Sequence, residues 1–180
     1  MTEDTDNHKD VFAHFGLAAY HAQCLEMEIK NVFLLTVRAN HKELPRSFFD
    51  GAEVTLDKQM LGTLVRDLKK VVTFGDSAAA LLDEALANRN RLSHGFFERH
   101  ATDLLSHTGR TGLIEEIEDY EQSFRYADAV CRSVSGALCK VLGITDEFLQ
   151  GELTKMKEAA EQTDAQTGRR EDCPPGSHTT

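Results

Sequence analysis

Apolar residues recur at spacings of three and four along most of the chain, and this pattern constrains the fold more than any other feature. The longest example steps without a break from Leu113 to Val141. Only three prolines occur, at positions 45, 174 and 175, so a single proline interrupts the first 173 residues. Strand-like alternation is rare. The sequence therefore predicts an all-α protein, an up-and-down bundle of four long helices with shorter ones.

The predicted long helices cover residues 10–39, 55–74, 77–102 and 113–142, and Thr145 is expected to cap a last helix that holds Phe148, Leu149, Leu153 and Met156. Between them, residues 40–53 form a connection around Pro45, and Gly109 to Gly112 form a turn. Gly143 ends the fourth helix. The unbroken apolar seam of that helix suits either the bundle core or a dimer contact, and the core is the simpler interpretation.

The length suits one domain. We expect residues 1–10 to be a flexible N-terminus, residues 11–163 to form the bundle, and the polar residues 164–180 to form a disordered tail. The first ten residues are acidic and polar, unlike a signal peptide. No apolar run approaches the roughly 18 residues of a membrane span. These features predict a cytoplasmic protein without membrane association.

The formal net charge of −10 argues against broad, nonspecific binding to nucleic acids, although it leaves room for a small local site. None of the four cysteines forms a C-x-x-C pair, so we expect structural thiols rather than disulfides. His14 and His21 are two turns apart and Cys24 follows, but no acidic or thiol cluster completes a metal site. We expect neither a metal nor another cofactor.

The stretch from Asn88 to Phe97 contains an arginine where the helix is expected to bury an apolar side chain. At about 100° per residue, the apolar residues of this helix spread over roughly 160°, and Arg89 lies near the middle. Asn90 and His94 are one turn apart and share a face. A straight helix would splay Arg89 and His94 by about 140°. A kink at Gly95 or a second copy of the helix is needed to bring both to one ligand.

The first helix contains a matching anomaly, because Glu26 falls inside its apolar arc beside Phe15 and Phe33. A buried charge is costly unless it is paired. We therefore predict that Glu26 pairs with Arg89, and a bidentate contact is one way to satisfy both groups. Such a pair can simply fix helix register, or it can hold the guanidinium so that one edge faces a ligand.

Arg89 followed by Asn90, three more residues and His94, late in a helix of an all-α bundle, resembles the motif of the HEPN superfamily. The resemblance covers about residues 11–157. It implies a helical bundle that dimerises with the two motif copies face to face. Active HEPN domains are metal-independent ribonucleases of toxin–antitoxin, phage-defence and RNA-processing systems, whereas other members are catalytically silent binding modules.

The resemblance also implies a role for each motif residue. His94 would act as general acid or base on the ribose 2′-hydroxyl or the leaving 5′-oxygen. Arg89 would stabilise the charge on the scissile phosphate, and Asn90 would orient His94 or bind phosphate. The products would be a 2′,3′-cyclic phosphate and a 5′-hydroxyl.

Further expectations follow from the same resemblance. Glu26 would support Arg89, and Arg91 and Arg99 are candidates for RNA contacts, with an ordinary solvated face as the simpler interpretation. Phe96 stands where toxins paired with a nucleotidyltransferase carry a tyrosine, so modification at that position is excluded. The expected partners are a second copy of the chain, RNA, and an antitoxin or defence protein. The alternative function is a silent HEPN-like dimer that binds a protein or a nucleotide.

Overall fold

A computed structural model describes the backbone of residues 3–167 and the side chains of residues 7–163. Regular secondary structure in this range is entirely helical, which confirms the predicted all-α bundle. It comprises α1 (Glu3–Asn40), α2 (Arg46–Asp57), α3 (Leu61–Val71), α4 (Asp76–Ser93), α5 (Phe96–Arg99), a 3-10 turn (Asp103–Leu105), α6 (His107–Leu142) and α7 (Asp146–Thr167). Every helix within residues 3–167 is too short or too polar to cross a membrane.

The chain divides into two compact units, Met1–Leu138 and Cys139–Thr180. In the first unit, buried apolar residues of α1 share one core cluster with those of α3, α4, α5 and α6. The seam of α6 belongs to this core from Leu113 to Cys131, so the core interpretation of that stretch is confirmed. Cys24, Cys131 and Cys139 form no disulfide within the described residues, whereas Cys173 lies outside them.

The second unit contains the end of α6 and all of α7. Gly143 ends α6 with a left-handed backbone (φ 71°), and the Thr145 hydroxyl accepts a hydrogen bond from the Phe148 N–H at 3.2 Å, both as predicted. The large apolar residues of α7 are exposed: Phe148, Leu149, Leu153 and Met156. The helix continues to Thr167, four residues into the segment predicted to be a tail, and the rest of that segment lies outside the described residues.

The first helix begins at Glu3 and therefore passes through the segment predicted to be a flexible N-terminus. A contact distant in sequence accounts for this. The Asn7 amide oxygen accepts a 2.7 Å hydrogen bond from Nε of Arg110, a residue of α6 that is only 1% exposed. Because the partner lies 103 residues away, the sequence pattern gave no sign of this anchor.

The predicted helix over 55–74 is wrong, because two shorter helices, α2 and α3, occupy residues 46–57 and 61–71. The first of them also replaces much of the predicted connection. Leu56 and Leu61 are both buried, although they are five residues apart. An unbroken helix would point them about 140° apart, so the extended backbone at Met60 (ψ 142°) lets both reach the core.

The predicted helix over 77–102 is also wrong at its end. Helix α4 stops at Ser93, and Gly95 adopts a left-handed backbone (φ 69°) before α5 begins. Glycine adopts this conformation without strain, so the chain turns here rather than continuing. The kink considered for the motif therefore exists, as a helix end.

The predicted turn at Gly109 to Gly112 is wrong, because both glycines lie inside α6. Gly109 is needed for close packing instead. A Cβ atom there would overlap the backbone of Asp103 in the 3-10 turn, lying 2.7 Å from its Cα atom. Gly112 has nothing within 4 Å of the corresponding position.

Candidate functional site

The C-terminal part of α4 presents three consecutive polar residues to different surroundings. Asn88 is 6% exposed, the Arg89 side chain is 28% exposed, and Asn90 is exposed. Ala85 and Leu92 lie at the centre of the buried side of the helix, and Arg89 and Asn88 lie about 50° to either side of it. Arg89, which was expected near the middle of the apolar arc, is half-buried, and its neighbour Asn88 is the amide that enters the core.

Asn88 is held by side chains on both sides. Its amide nitrogen donates to the Ser123 hydroxyl at 3.0 Å, and that hydroxyl donates to the Tyr120 carbonyl at 2.7 Å. Its amide oxygen accepts a hydrogen bond from Arg91 Nη1 at 3.3 Å. This arrangement satisfies a buried polar group and fixes α4 against α6. Arg91, a candidate for RNA contact, thus has one guanidinium nitrogen engaged inside the protein.

Arg89 borders a groove of about 290 Å³ between α1 and α4, which is also lined by Glu26, Gln23 and Phe15. The predicted pair with Glu26 forms as one contact, from Nη2 to Oε2 at 3.8 Å. The predicted pair is therefore present, but this distance is too long for a hydrogen bond, and the bidentate contact does not form. The Nη1 atom lies 3.5 Å from the Asn90 amide oxygen. The guanidinium is therefore neutralised only loosely and remains accessible from the groove.

Glu26 also belongs to a chain of alternating charges that reaches α2. Its Oε1 atom lies 3.3 Å from Nζ of Lys30, and the same Nζ lies 2.9 Å from Oδ1 of Asp57. Burial lowers the pKa of Lys30, but hydrogen bonds to Asp57 and Glu26 outweigh it and raise the pKa overall. Because Lys30 stays charged, the Glu26 carboxylate is shared between two cations, Lys30 and Arg89. Its negative charge therefore does not serve Arg89 exclusively.

His94 is the C-cap that directly follows α4, and its side chain is exposed. Within residues 7–163, no hydrogen bond or ion pair engages its imidazole. Its backbone N–H donates to the Asn90 carbonyl at 3.1 Å, so the two residues meet through the main chain. His94 does not line the groove that Arg89 borders. The structure thus brings together Glu26, Arg89 and Asn90, and leaves His94 apart from them in one chain.

Arg99 reaches back to the end of α4. Its Nη1 atom donates to the His94 carbonyl, and its Nη2 atom donates to the Arg91 carbonyl. These carbonyls belong to the last turn, where a helix lacks its own donors and carries partial negative charge. Arg99, a candidate for RNA contact, is therefore a cap that holds the backbone of His94.

A second polar cluster lies beside the motif. His100 has Nδ1 at 3.0 Å from Asp103 and Nε2 at 3.5 Å from Glu116. The Tyr120 hydroxyl donates to the same Glu116 carboxylate. Burial and this hydrogen bond raise the pKa of Tyr120 to about 12. The cluster ties α6 to the segment that follows the motif.

The sequence did not reveal the roles of Asn88, Arg110 or the His100 cluster. A signal existed for Asn88, which lies three residues after Ala85 and four before Leu92, both buried. Arg110 likewise lies three residues before Leu113 and seven before Ile117, both buried, but the glycines at positions 109 and 112 suggested a turn there. The two histidines of α1 each lie beside a carboxylate of α6. His14 lies 3.3 Å from Glu118, and His21 lies 3.4 Å from Glu121.

No protein-family model, curated protein or solved structure matches the chain.

Proposed function

We propose that this chain is a HEPN-like, metal-independent endoribonuclease that acts as a homodimer in the cytoplasm, within a toxin–antitoxin or phage-defence system. The observation that carries the proposal is the arrangement at the end of α4. Arg89 borders an open groove, and its guanidinium contacts the Asn90 amide oxygen. His94, five residues later, has an exposed imidazole. This set provides a cation for phosphate and a group for proton transfer.

In the proposed reaction, the RNA supplies its own nucleophile. His94 accepts the proton of the ribose 2′-hydroxyl, and the 2′-oxygen attacks the adjacent phosphorus. The bond from phosphorus to the 5′-oxygen breaks, and that oxygen takes up a proton from imidazolium. Arg89 binds the phosphate oxygens as their negative charge grows, with Asn90 as a hydrogen-bond donor beside it. The products are a 2′,3′-cyclic phosphate and a 5′-hydroxyl.

The proposal requires two copies, because His94 and Arg89 do not converge within one chain. An exposed apolar stripe on α1 supports a dimer. Phe12, Tyr20 and Met27 are 54%, 60% and 63% exposed. Because they are spaced by eight and seven residues, their side chains share an arc of about 80° around the helix axis. The Phe12 ring also lies 5.4 Å from that of Phe97 in α5, close to His94 in sequence. Such a patch is typical of a surface that binds another protein.

Cleavage of labelled total RNA by the purified protein in EDTA tests the proposal. We expect the parent to cleave and the folded His94→Ala and Arg89→Ala variants to lose activity. His41→Ala is the matched control, because His41 is an exposed histidine outside the site and should leave cleavage unchanged. Equal cleavage by parent and His94→Ala would identify a contaminant and remove His94 from the mechanism.

Mixing two inactive variants tests whether the site is shared between copies. If each site combines Arg89 of one copy with His94 of the other, a heterodimer of Arg89→Ala and His94→Ala chains contains one intact site. Random exchange of subunits should then restore about a quarter of the parental activity. No recovery on mixing, with exchange verified, would contradict a site built from two copies.

The second candidate function is a silent HEPN-like dimer that binds a protein or a nucleotide. Two observations favour it: the net charge of −10 opposes RNA, and Glu26 lies 3.8 Å from Arg89. It predicts a folded dimer of the parent protein without RNA cleavage.

A further inference from the structure

A second cavity, of about 520 Å³, lies between α1, α2 and α3. Ligand pockets in proteins commonly measure about 300–1,000 Å³, so this one has room for a fused ring system with a substituent. Its walls include Phe33 of α1, Phe48 and Leu56 of α2, and Leu64 of α3. It is separate from the groove beside Arg89, and none of the motif residues lines it.

The apolar part of the cavity suits a flat ring. Phe48 lies on its wall while being 45% exposed, so an aromatic face is available at the surface. Gly51 also lines the cavity, and nothing lies within 4 Å of the place where its Cβ would be. Leu56 and Leu64 are almost fully buried and form an apolar floor. Aromatic side chains bind the faces of nitrogen heterocycles by stacking.

Two polar side chains give the cavity a hydrogen-bonding edge. Gln59 is half-buried, and its amide has no hydrogen-bond partner within residues 7–163. Asp67 pairs with Lys70 at 2.7 Å and with Arg66 at 3.6 Å, and both contacts use Oδ1. The other carboxylate oxygen thus keeps its capacity to accept a hydrogen bond. The hydrogen bond from Lys70 lowers the pKa of Asp67 and keeps the group ionised.

The free hydrogen-bonding groups of the lining select among ligands. Asp67 is the charged residue on the cavity wall, and its contacts with Lys70 and Arg66 offset its charge. A neutral ring with N–H donors would find acceptors in Asp67 and Gln59. The Gln59 amide carries a donor beside an acceptor. That pair matches the edge of an aminated ring, where an exocyclic amine stands next to a ring nitrogen, as the amine and N7 do in adenine.

We propose that the cavity between α1, α2 and α3 is a binding site for a neutral aromatic heterocycle with an exocyclic amine, of the adenine type. The ring lies against Phe48 and Phe33, and Gln59 reads the amine and the adjacent ring nitrogen. Asp67 accepts a hydrogen bond from the ligand. The site stands independently of the proposed ribonuclease activity.

Calorimetric titration of the full chain with adenosine and inosine tests the proposal. On the edge where adenosine presents its amine and N7, inosine presents two acceptors, an oxygen and N7. We expect inosine to bind about tenfold more weakly, because one donor is lost and the Gln59 carbonyl is left unpaired. Equal affinity for adenosine and inosine would overturn the assignment of an amine-reading site.

Substitution of the polar edge provides the second arm. Gln59→Leu should weaken adenosine binding by about tenfold or more, since the contacts of the Gln59 amide with the ligand are lost. Gln150 is an exposed glutamine of α7 that does not line the cavity, so Gln150→Leu should leave binding unchanged. Folding of both variants is verified by circular dichroism. Absence of adenosine binding by the parent, or equal binding by the parent and Gln59→Leu, would refute the proposal. Binding of an adenine oligoribonucleotide without binding of adenosine would also refute it, and would assign the cavity to an RNA strand.

Discussion

Arg99 holds His94 by its main chain, because the Arg99 guanidinium donates to the His94 carbonyl and, through its other nitrogen, to the Arg91 carbonyl. The two residues lie on opposite sides of Gly95, whose left-handed backbone turns the chain between α4 and α5. The His94 imidazole is exposed. Its position is therefore set through the main chain, where Arg99 contacts the His94 carbonyl.

Replacing Arg99 should therefore loosen the end of α4. We expect Arg99→Ala to lower the free energy of unfolding by about 1 kcal/mol, since a cation near a helix C-terminus contributes roughly that much. RNA cleavage should fall further than this small loss of stability explains, because His94 is no longer held. Denaturant unfolding and the cleavage assay measure the two effects. Arg46→Ala, at the start of α2, is the control, and equal activity of both variants would show that the cap does not position His94.

The two glycines at the start of α6 should respond in opposite directions to alanine. Gly109→Ala places a Cβ against the backbone of Asp103 and should destabilise the protein by about 1–3 kcal/mol, as overpacking does. Gly112→Ala meets open space and should stabilise it by about 0.5–1 kcal/mol, since alanine favours a helix. Thermal unfolding of the two variants measures both changes. A stabilised Gly109→Ala protein would contradict the close contact between α6 and the 3-10 turn.

The buried Arg110 should make Asn7 important for the first turns of α1. Asn7→Ala removes one acceptor of a guanidinium that is 1% exposed, and the cost of an unsatisfied buried donor is about 1–3 kcal/mol. Asn31→Ala, at an exposed position of the same helix, should change the free energy of unfolding much less. Hydrogen exchange of the first α1 amides should also accelerate in Asn7→Ala alone. Equal unfolding energies for both variants would remove Asn7 as the anchor.

The raised pKa of Tyr120 predicts a loss of stability at alkaline pH. Burial and the hydrogen bond to Glu116 raise this pKa from 10.0 to about 12, so the folded state holds the phenolic proton more tightly than the unfolded state. The contribution is complete below pH 10 and disappears as the pH rises toward 12. In Tyr120→Phe this part of the pH dependence should vanish.

The difference between parent and Tyr120→Phe unfolding energies, measured from pH 9 to 12, isolates this group. Cys131, whose pKa burial raises to about 12, titrates equally in both proteins and cancels in the difference. The ultraviolet absorbance of tyrosinate gives a direct check on the same ionisation. A constant difference over this pH range would show that the Tyr120 proton is not linked to folding.

The sequence by itself determined the helical class and the helices with long, regular apolar stripes. The stripe from Leu113 to Cys131 belongs to the core, because spacings of three and four keep one side of a helix apolar whatever packs against it. Gly143 and Thr145 act as predicted for the same reason, since helix ends depend on a few neighbouring residues. The ion pair of Glu26 with Arg89 was also predicted, because each charged residue falls within the apolar arc of its own helix.

Tertiary structure decided where helices break and which polar groups are buried. The break between Leu56 and Leu61 exists because both side chains reach one core, and periodicity within a single segment contains no such information. Asn88 is buried because Ser123 of α6 lies opposite, and Arg110 because Asn7 accepts its hydrogen bond. These partners are 35 and 103 residues away in sequence. A buried polar side chain is stable only where distant groups satisfy it, so its position follows from the packed fold.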